Sequence, residues 1–318
     1  MRPTPAPFFD DVAKAPAGAK AVWLDTEDGV RIRVAHWRCG TKGTVLIFPG
    51  RSEYIEKYGP AAGDLALRGY ATVTVDWRGQ GLADRLLADR ALGHVGAFLD
   101  YQKDVAALMD FVAAEKLPQP CFLIAHSMGG CIALRALHDG LPVRAVAFSA
   151  PMWGIRMMPV LRPVAWAVSG LAPFIGMADR LVPGTSAETY VIDAPFEGNV
   201  LTRDADMFEF MRHQQIEHPD LAIGGPTLRW LHEALNETRA LARMPSPDMG
   251  GVTILGSQER VVNVAAIHRR MAQWPNAQLH IIDGAEHEPM MDSPTLRAEF
   301  FDRAAACFES AQVKQISV

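Results

Sequence analysis

Residues 121–134, CFLIAHSMGGCIAL, change period at Ser127. Cys121 to Ala125 is a continuous apolar run, the pattern of a strand covered on both faces. Beyond the serine, Cys131, Ile132, Leu134 and Leu137 fall at helical spacing. The serine thus stands at a strand-to-helix joint with Gly129 and Gly130 close behind it. A reactive serine on so sharp a turn takes a strained backbone and needs small residues two before and two after it. Ala125 and Gly129 hold those positions, giving Ala125-His126-Ser127-Met128-Gly129. A plain helix N-cap serine would share part of the pattern. Its place between a strand and a helix favours a nucleophile. His126 is expected to give packing or polar support, since neighbours on such a turn point apart.

Working outward, short strand-like runs alternate with helical patterns. RIRVAHW (31–37), TVLIF (44–48), ATVTVDW (71–77), AVAFSA (145–150), VTILG (252–256) and QLHIID (278–283) read as strands beside CFLIA (121–125). Residues 53–69, 98–117, 263–274 and 295–310 have helical spacing with polar faces. Such alternation implies an α/β protein with a mostly parallel central sheet and helices on both faces. It lapses from about Met152 to Gly225, a stretch rich in Met, Pro, Trp and Phe. The simplest reading is a helical lid inserted after the sixth or seventh strand. The expected organisation is a core from 1–151 and 226–318, with a cap over 152–225.

The bulk properties narrow the function. The 318 residues are 49% hydrophobic and 21% charged, an ordinary globular composition with enough chain for a large core. A net charge of -5 gives no basic footprint, so no nucleic-acid partner is expected. Cys39, Cys121, Cys131 and Cys307 form no C-x-x-C pair and read as free thiols. The start, MRPTPAPFFDDVAKAP, has no apolar leader-like run, so a cytoplasmic location is expected. Residues 163–178 are the most apolar stretch; short and interrupted by Pro173, they read as buried or interfacial.

A nucleophilic serine needs a base, and the base needs an orienting acid. His287 lies in the loop after strand 278–283 and Glu259 in the loop after strand 252–256. Both follow strand ends, and both follow the serine in the chain. Asp283 is a rival acid four residues before His287; Asp248 precedes a strand and would sit at the wrong end of the sheet. Charge developing on the substrate oxygen needs N–H donors. The backbone N–H of Met128, opening the helix after the serine, is one. Pro49-Gly50 turns the chain after strand 44–48 and presents the N–H of Arg51 as the other.

FPGRSEYIEKYGPAAGDLALRGYATVTVDWRGQGLADR (48–85), IAHSMGG (124–130), GSQERVV (256–262) and GAEHE (284–288) together resemble the monoglyceride lipase and bacterial lysophospholipase-like, or serine aminopeptidase-like, branch of the α/β-hydrolases. GGPTLRWLHEA (224–234) is closest to the bacterial lysophospholipase-like members. The resemblance implies the α/β-hydrolase fold, with Ser127 as nucleophile, His287 as base, Glu259 as acid, and the amides of Arg51 and Met128 as oxyanion donors. It also gives Asp76, Arg78 and Gly81 a structural role in the turn after the fourth strand. Three positions depart from the family pattern. Pro49 replaces a histidine, Glu259 replaces an aspartate, and Ala125 replaces the leading glycine of the elbow.

The expected chemistry is two-step hydrolysis of a carboxylic ester, with no metal or organic cofactor required. The methionine-rich stretch 151–177 suits an acyl chain, so a monoacyl lipid, lysophospholipid or monoglyceride, is the expected substrate. Peripheral contact with a micelle or the inner membrane surface through the lid is expected as well. Arg156 and Arg162 are candidates to meet a phosphate head group. Two alternatives stay open. An amino-terminal peptidase or amidase would use acids such as Glu188, Asp193 or Glu197 to hold a substrate amine. A non-catalytic binding protein of the same fold would leave the serine unreactive.

Overall fold

The computed structural model describes residues 3–316. Nine strands form one sheet: β1 (Thr4–Pro5), β2 (Lys20–Asp25), β3 (Arg31–Trp37), β4 (Thr44–Phe48), β5 (Ala71–Asp76), β6 (Cys121–His126), β7 (Val146–Ser149), β8 (Gly251–Gly256) and β9 (Ala277–Ile282). Their spatial order is β1-β2-β3-β5-β4-β6-β7-β8-β9. From β5 through β9 every neighbouring pair is parallel. The pairs β1–β2, β2–β3 and β3–β5 are antiparallel.

The sequence reading missed β1 and β2, so the strand before Arg78 is fifth in the chain rather than fourth. β2 buries only Ala21 and Leu24 and carries charged, exposed residues at both ends instead of forming an apolar run. The signal that marks it is Asp28-Gly29, a hairpin turn between β2 and β3.

The helices are α1 (Asp10–Ala13), α2 (Gly59–Leu67), α3 (Tyr101–Ala114), α4 (Met128–His138), α5 (Leu161–Leu171), α6 (Tyr190–Asp193), α7 (Ala205–Glu217), α8 (Leu228–Leu241), α9 (Val264–Met271) and α10 (Pro294–Ile316). Strands β4, β6 and β7 are buried along their whole length because both sheet faces are covered. Leu46, Phe48, Leu123 and Phe148 face one layer with Leu108, Phe111, Ile132 and Trp230 of α3, α4 and α8. Val45, Ile47, Phe122 and Ile124 face the other layer with Leu65, Phe208, Phe300 and Phe308 of α2, α7 and α10. Alternate residues of one apolar strand therefore serve two cores.

The turn after β5 is held by buried charge. Asp76 accepts Arg33 Nε at 2.7 Å and the amides of Ile55 and Leu82, both at 2.8 Å. Arg33 also bonds both oxygens of Glu56. Arg78 lies between Asp104 and Asp28. Gly81 has φ 51°, and a Cβ there would stand 2.2 Å from the Asp76 carboxyl carbon. These three positions are structural.

Four helices, α5 to α8, intervene between β7 and β8. Segment 163–178 is largely exposed rather than buried, with Phe174 at 85% and Ile175 at 66%. Among the described residues, no helix is long and apolar enough to cross a membrane. No disulfide joins the four cysteines.

Candidate active site

Ser127, Glu259, His287 and Arg51 follow β6, β8, β9 and β4 respectively. All four strands run parallel, so their C-terminal ends, and the loops leaving them, meet at one rim of the sheet.

Ser127 has φ 48° and ψ −116°, a left-handed backbone that non-glycine residues seldom adopt. Its amide donates to Ser149 O at 3.0 Å, and its carbonyl accepts Gly130 N–H and Met152 N–H. These bonds fix the turn that β6 and α4 require. Gly129 explains the small residue behind the serine: a Cβ there would lie 2.1 Å from Phe48 O. The start of α4 is thereby pressed against the loop after β4.

His287 Nδ1 is 2.7 Å from Glu259 Oε2. The other carboxylate oxygen accepts the amides of Val261 and Val262. Burial pushes the Glu259 carboxyl up, but the bond and charge of His287 and the two amides outweigh it, leaving its pKa below the usual carboxylate value. The extra methylene of glutamate lets one carboxylate span the imidazole and the amides of its own loop. The two rival acids are engaged elsewhere, Asp283 with Ser257 Oγ and Asp248 with Asn276 Nδ2. Among the described residues no hydrogen bond joins Ser127 Oγ to His287; the two line one cavity. Such contacts often tighten only around bound substrate.

The loop after β4 is pinned on both sides of Arg51. Trp77 Nε1 donates to Pro49 O and Gln80 Nε2 to Gly50 O, each at 3.0 Å. Gly50 N–H donates to Glu53, and Ser52 N–H donates to Gln80 Oε1. The Arg51 amide has no acceptor among the described residues. Met128, first in α4, lies in the turn whose amides lack an intrahelical partner.

Beneath the site lies a buried charged cluster that the sequence reading missed. Lys57 Nζ is 2.7 Å from Glu53 Oε1 and also pairs with Glu288. His126 Nε2 is 3.5 Å from Glu53, and its Nδ1 is 3.2 Å from Ser149 O and Oγ. The His126 and His287 rings are 4.8 Å apart, so His126 comes closer to the site than its place on the elbow implies. Burial pulls its pKa down to about 3, which keeps the imidazole neutral. Glu53, His126 and Glu288 carry enough donor atoms for a metal ion. The ammonium of Lys57 already pairs with both carboxylates, so the donor set is an internal ion-pair network. Glu53 and Lys57 stand four apart directly after the loop, the sequence signal for such a pair.

A cavity of about 330 Å3 holds Ser127, His287 and Arg51. Its apolar walls include Met152, Ile155, Val191, Leu201 and Met211 from the stretch between β7 and β8. That stretch also grips the histidine loop: His287 N–H donates to Val200 O and Glu288 N–H to Leu201 O. Neither Arg156 nor Arg162 reaches this cavity. Arg156 bonds Arg260 O at 2.6 Å, and Arg162 lines a separate groove beside Trp166.

Residues 40–294 match the family model described as serine aminopeptidase, S33. Lysophospholipase L2 of Escherichia coli (strain K12) is 30% identical over 298 residues, covering 87% of this chain and 85% of that protein. The probable lysophospholipase L2 of Haemophilus influenzae is 28% identical over 255 residues, covering 80% and 79%. Among solved structures, a soluble variant of monoglyceride lipase from Saccharomyces cerevisiae, in complex with a substrate analog, superposes with a TM-score of 0.70. It has 18% sequence identity and covers 91% of this chain and 94% of that one. That likeness establishes the fold.

Proposed function

The chain belongs to the serine aminopeptidase S33 family, and from that membership we propose that it hydrolyses the carboxylic ester of a monoacyl lipid, a lysophospholipid or a monoglyceride, through an acyl-enzyme. Ser127 Oγ attacks the ester carbonyl carbon while His287 takes its proton. The carbonyl oxygen becomes an oxyanion, received by the amides of Arg51 and Met128. Collapse expels the alcohol, which takes the proton back from His287. Water, deprotonated by His287, then attacks the acyl carbon, and His287 returns that proton to Ser127 Oγ as the fatty acid leaves. Glu259 orients the imidazole and stabilises its charged form.

The observation that carries this reading is the strained backbone of Ser127 beside the His287–Glu259 pair, at one apolar cavity. An ester is favoured over a peptide by the acids on the cavity wall. Glu53 and Glu288 both pair with Lys57, which leaves no cavity-lining carboxylate for a substrate amine among the described residues. Glu188, Asp193 and Glu197 lie outside it.

Residues 152–225 act as a lid over the core of 1–151 and 226–318. Support comes from the cavity walls they supply and from the apolar surface they expose at Val160, Val164, Phe174 and Ile175. That surface rests on a micelle or membrane while substrate enters, which suits a cytoplasmic protein held at the inner membrane surface.

Ser127→Ala tests the reaction. Turnover of p-nitrophenyl butyrate should fall by about 10^4-fold or more, and labelling by a fluorophosphonate should disappear. Retained turnover would overturn the mechanism. Absence of labelling in the unmodified protein would favour a non-catalytic binding protein. A panel of lysophospholipids, monoglycerides and amino-acid amides of matched size identifies the substrate class.

A further inference from the structure

Three buried cations of this protein each sit between two carboxylates. Arg33 is flanked by Glu56 and Asp76, Arg78 by Asp28 and Asp104, and Lys57 by Glu53 and Glu288. A charge taken out of water is costly unless it is paired. Half-buried Arg51 has no such pair; Arg270, away from the site, is buried against the carbonyls of Leu241, Met244 and Pro245 instead. Arg51 lines the cavity that holds Ser127 and His287, yet no carboxylate pairs with it among the described residues. Its one side-chain hydrogen bond is from Nη1 to the carbonyl of Gly224, at 2.7 Å. The guanidinium lies 5.8 Å from the centre of the Trp230 ring, which holds it in place by cation–π attraction. Burial pulls its pKa down to about 10, so it remains a cation at neutral pH.

We propose that the free donors of the Arg51 side chain receive the phosphate on the alcohol side of the ester. The preferred substrate is then a lysophospholipid rather than an uncharged monoglyceride. This rests on the ester-hydrolase reading and adds a specificity-determining residue to it. The geometry follows from one residue serving both ends of the leaving group. The Arg51 amide is the proposed donor to the ester oxygen, and the residue lines the same cavity as Ser127 and His287. In a monoacyl glycerophospholipid the ester carbonyl and the phosphorus are separated only by the ester oxygen, the glycerol carbons and a bridging oxygen. Nε and Nη2, without a hydrogen-bond acceptor among the described residues, form the planar fork that matches two phosphate oxygens. The anion supplies the direct partner that no carboxylate gives Arg51 among the described residues.

The test compares unmodified protein, Arg51→Gln and Arg51→Lys on two substrates with the same acyl chain, a lysophosphatidylglycerol and a 1-monoacylglycerol. The readout is the ratio of the two kcat/KM values. Arg51→Gln should lower that ratio by about 10–100-fold. Arg51→Lys, which keeps the charge but loses the fork, should fall between. Glycerol 3-phosphate should inhibit the unmodified protein competitively and lose that effect in Arg51→Gln. An unchanged ratio, with both substrates slowed equally, would mean that Arg51 only holds its loop and would overturn the proposal. Inhibition by inorganic phosphate that equals that of glycerol 3-phosphate and persists in Arg51→Gln would place the anion elsewhere, with the same consequence. Failure of the parent reading is visible separately, as turnover that survives Ser127→Ala.

Discussion

At φ 48°, Ser127 carries backbone strain of about 1–3 kcal/mol that its surroundings must hold in place. The amide bond to Ser149 O and the absence of a side chain at Gly129 supply that constraint. Glu259 shows a second residue-scale effect. Its bonds from His287 and two amides hold its pKa below the usual carboxylate range. Glu259→Gln should lower kcat by roughly 10^2–10^4-fold with the fold intact; steady-state kinetics beside a circular dichroism melt checks this. His126 links the site to stability. An unfolded imidazole takes its proton near pH 6.5, and the buried one only near about pH 3. Between those values the unfolded chain binds more protons, so stability is full above pH 6.5 and is lost as pH falls through the window. Denaturant titrations at several pH values should show a flatter slope in His126→Asn, which retains a donor for Ser149. An identical slope would remove the imidazole as the source.

Elements succeed here by what they press against. The opening turn of α4 meets the loop after β4, where a Cβ at Gly129 would strike the carbonyls of Phe48 and Pro49. Val200 and Leu201 bond the loop that carries His287, so the stretch between β7 and β8 shapes the site as well as lining its cavity. Helix α5 behaves differently. It packs on α8 through Trp166 and His232, at 6.1 Å between ring centres, and leaves Val164 and Val168 open to water. The following turn exposes Phe174. A charge at this surface should weaken contact with a lipid phase and leave the catalytic cavity alone. Phe174→Glu is therefore expected to lower turnover of micellar lysophospholipid several-fold while hydrolysis of soluble p-nitrophenyl butyrate and the melting temperature hold. Equal loss on both substrates would argue against an interfacial role. The sequence marked 163–178 as an apolar, buried or interfacial stretch, but not which face of α5 stays open. An apolar stripe looks alike whether a core or a membrane covers it.

Across the whole molecule, buried charge ties distant parts of the sheet to the site. Arg33 on β3 reaches Asp76 at the end of β5 and Glu56 in the turn before α2, close to the loop that presents Arg51. Arg33→Met would leave two buried carboxylates without a cation and should destabilise the protein by about 3–5 kcal/mol, measured by chemical denaturation. The one-dimensional pattern of the chain was enough to indicate a layered α/β architecture and to put Ser127, Glu259 and His287 at strand ends. Period and turn chemistry are local, and the C-terminal ends of parallel strands converge whatever fills the loops between them. The antiparallel β2 was harder to see because only two of its six residues are fully buried. Three features were decided only in three dimensions: which acid bonds the imidazole, how Lys57 is shared between Glu53 and Glu288, and which arginine faces the cavity. Each depends on contacts between segments far apart in the chain. Such contacts leave no periodic trace in either partner's neighbourhood, and the strength of a buried charge depends on what encloses it.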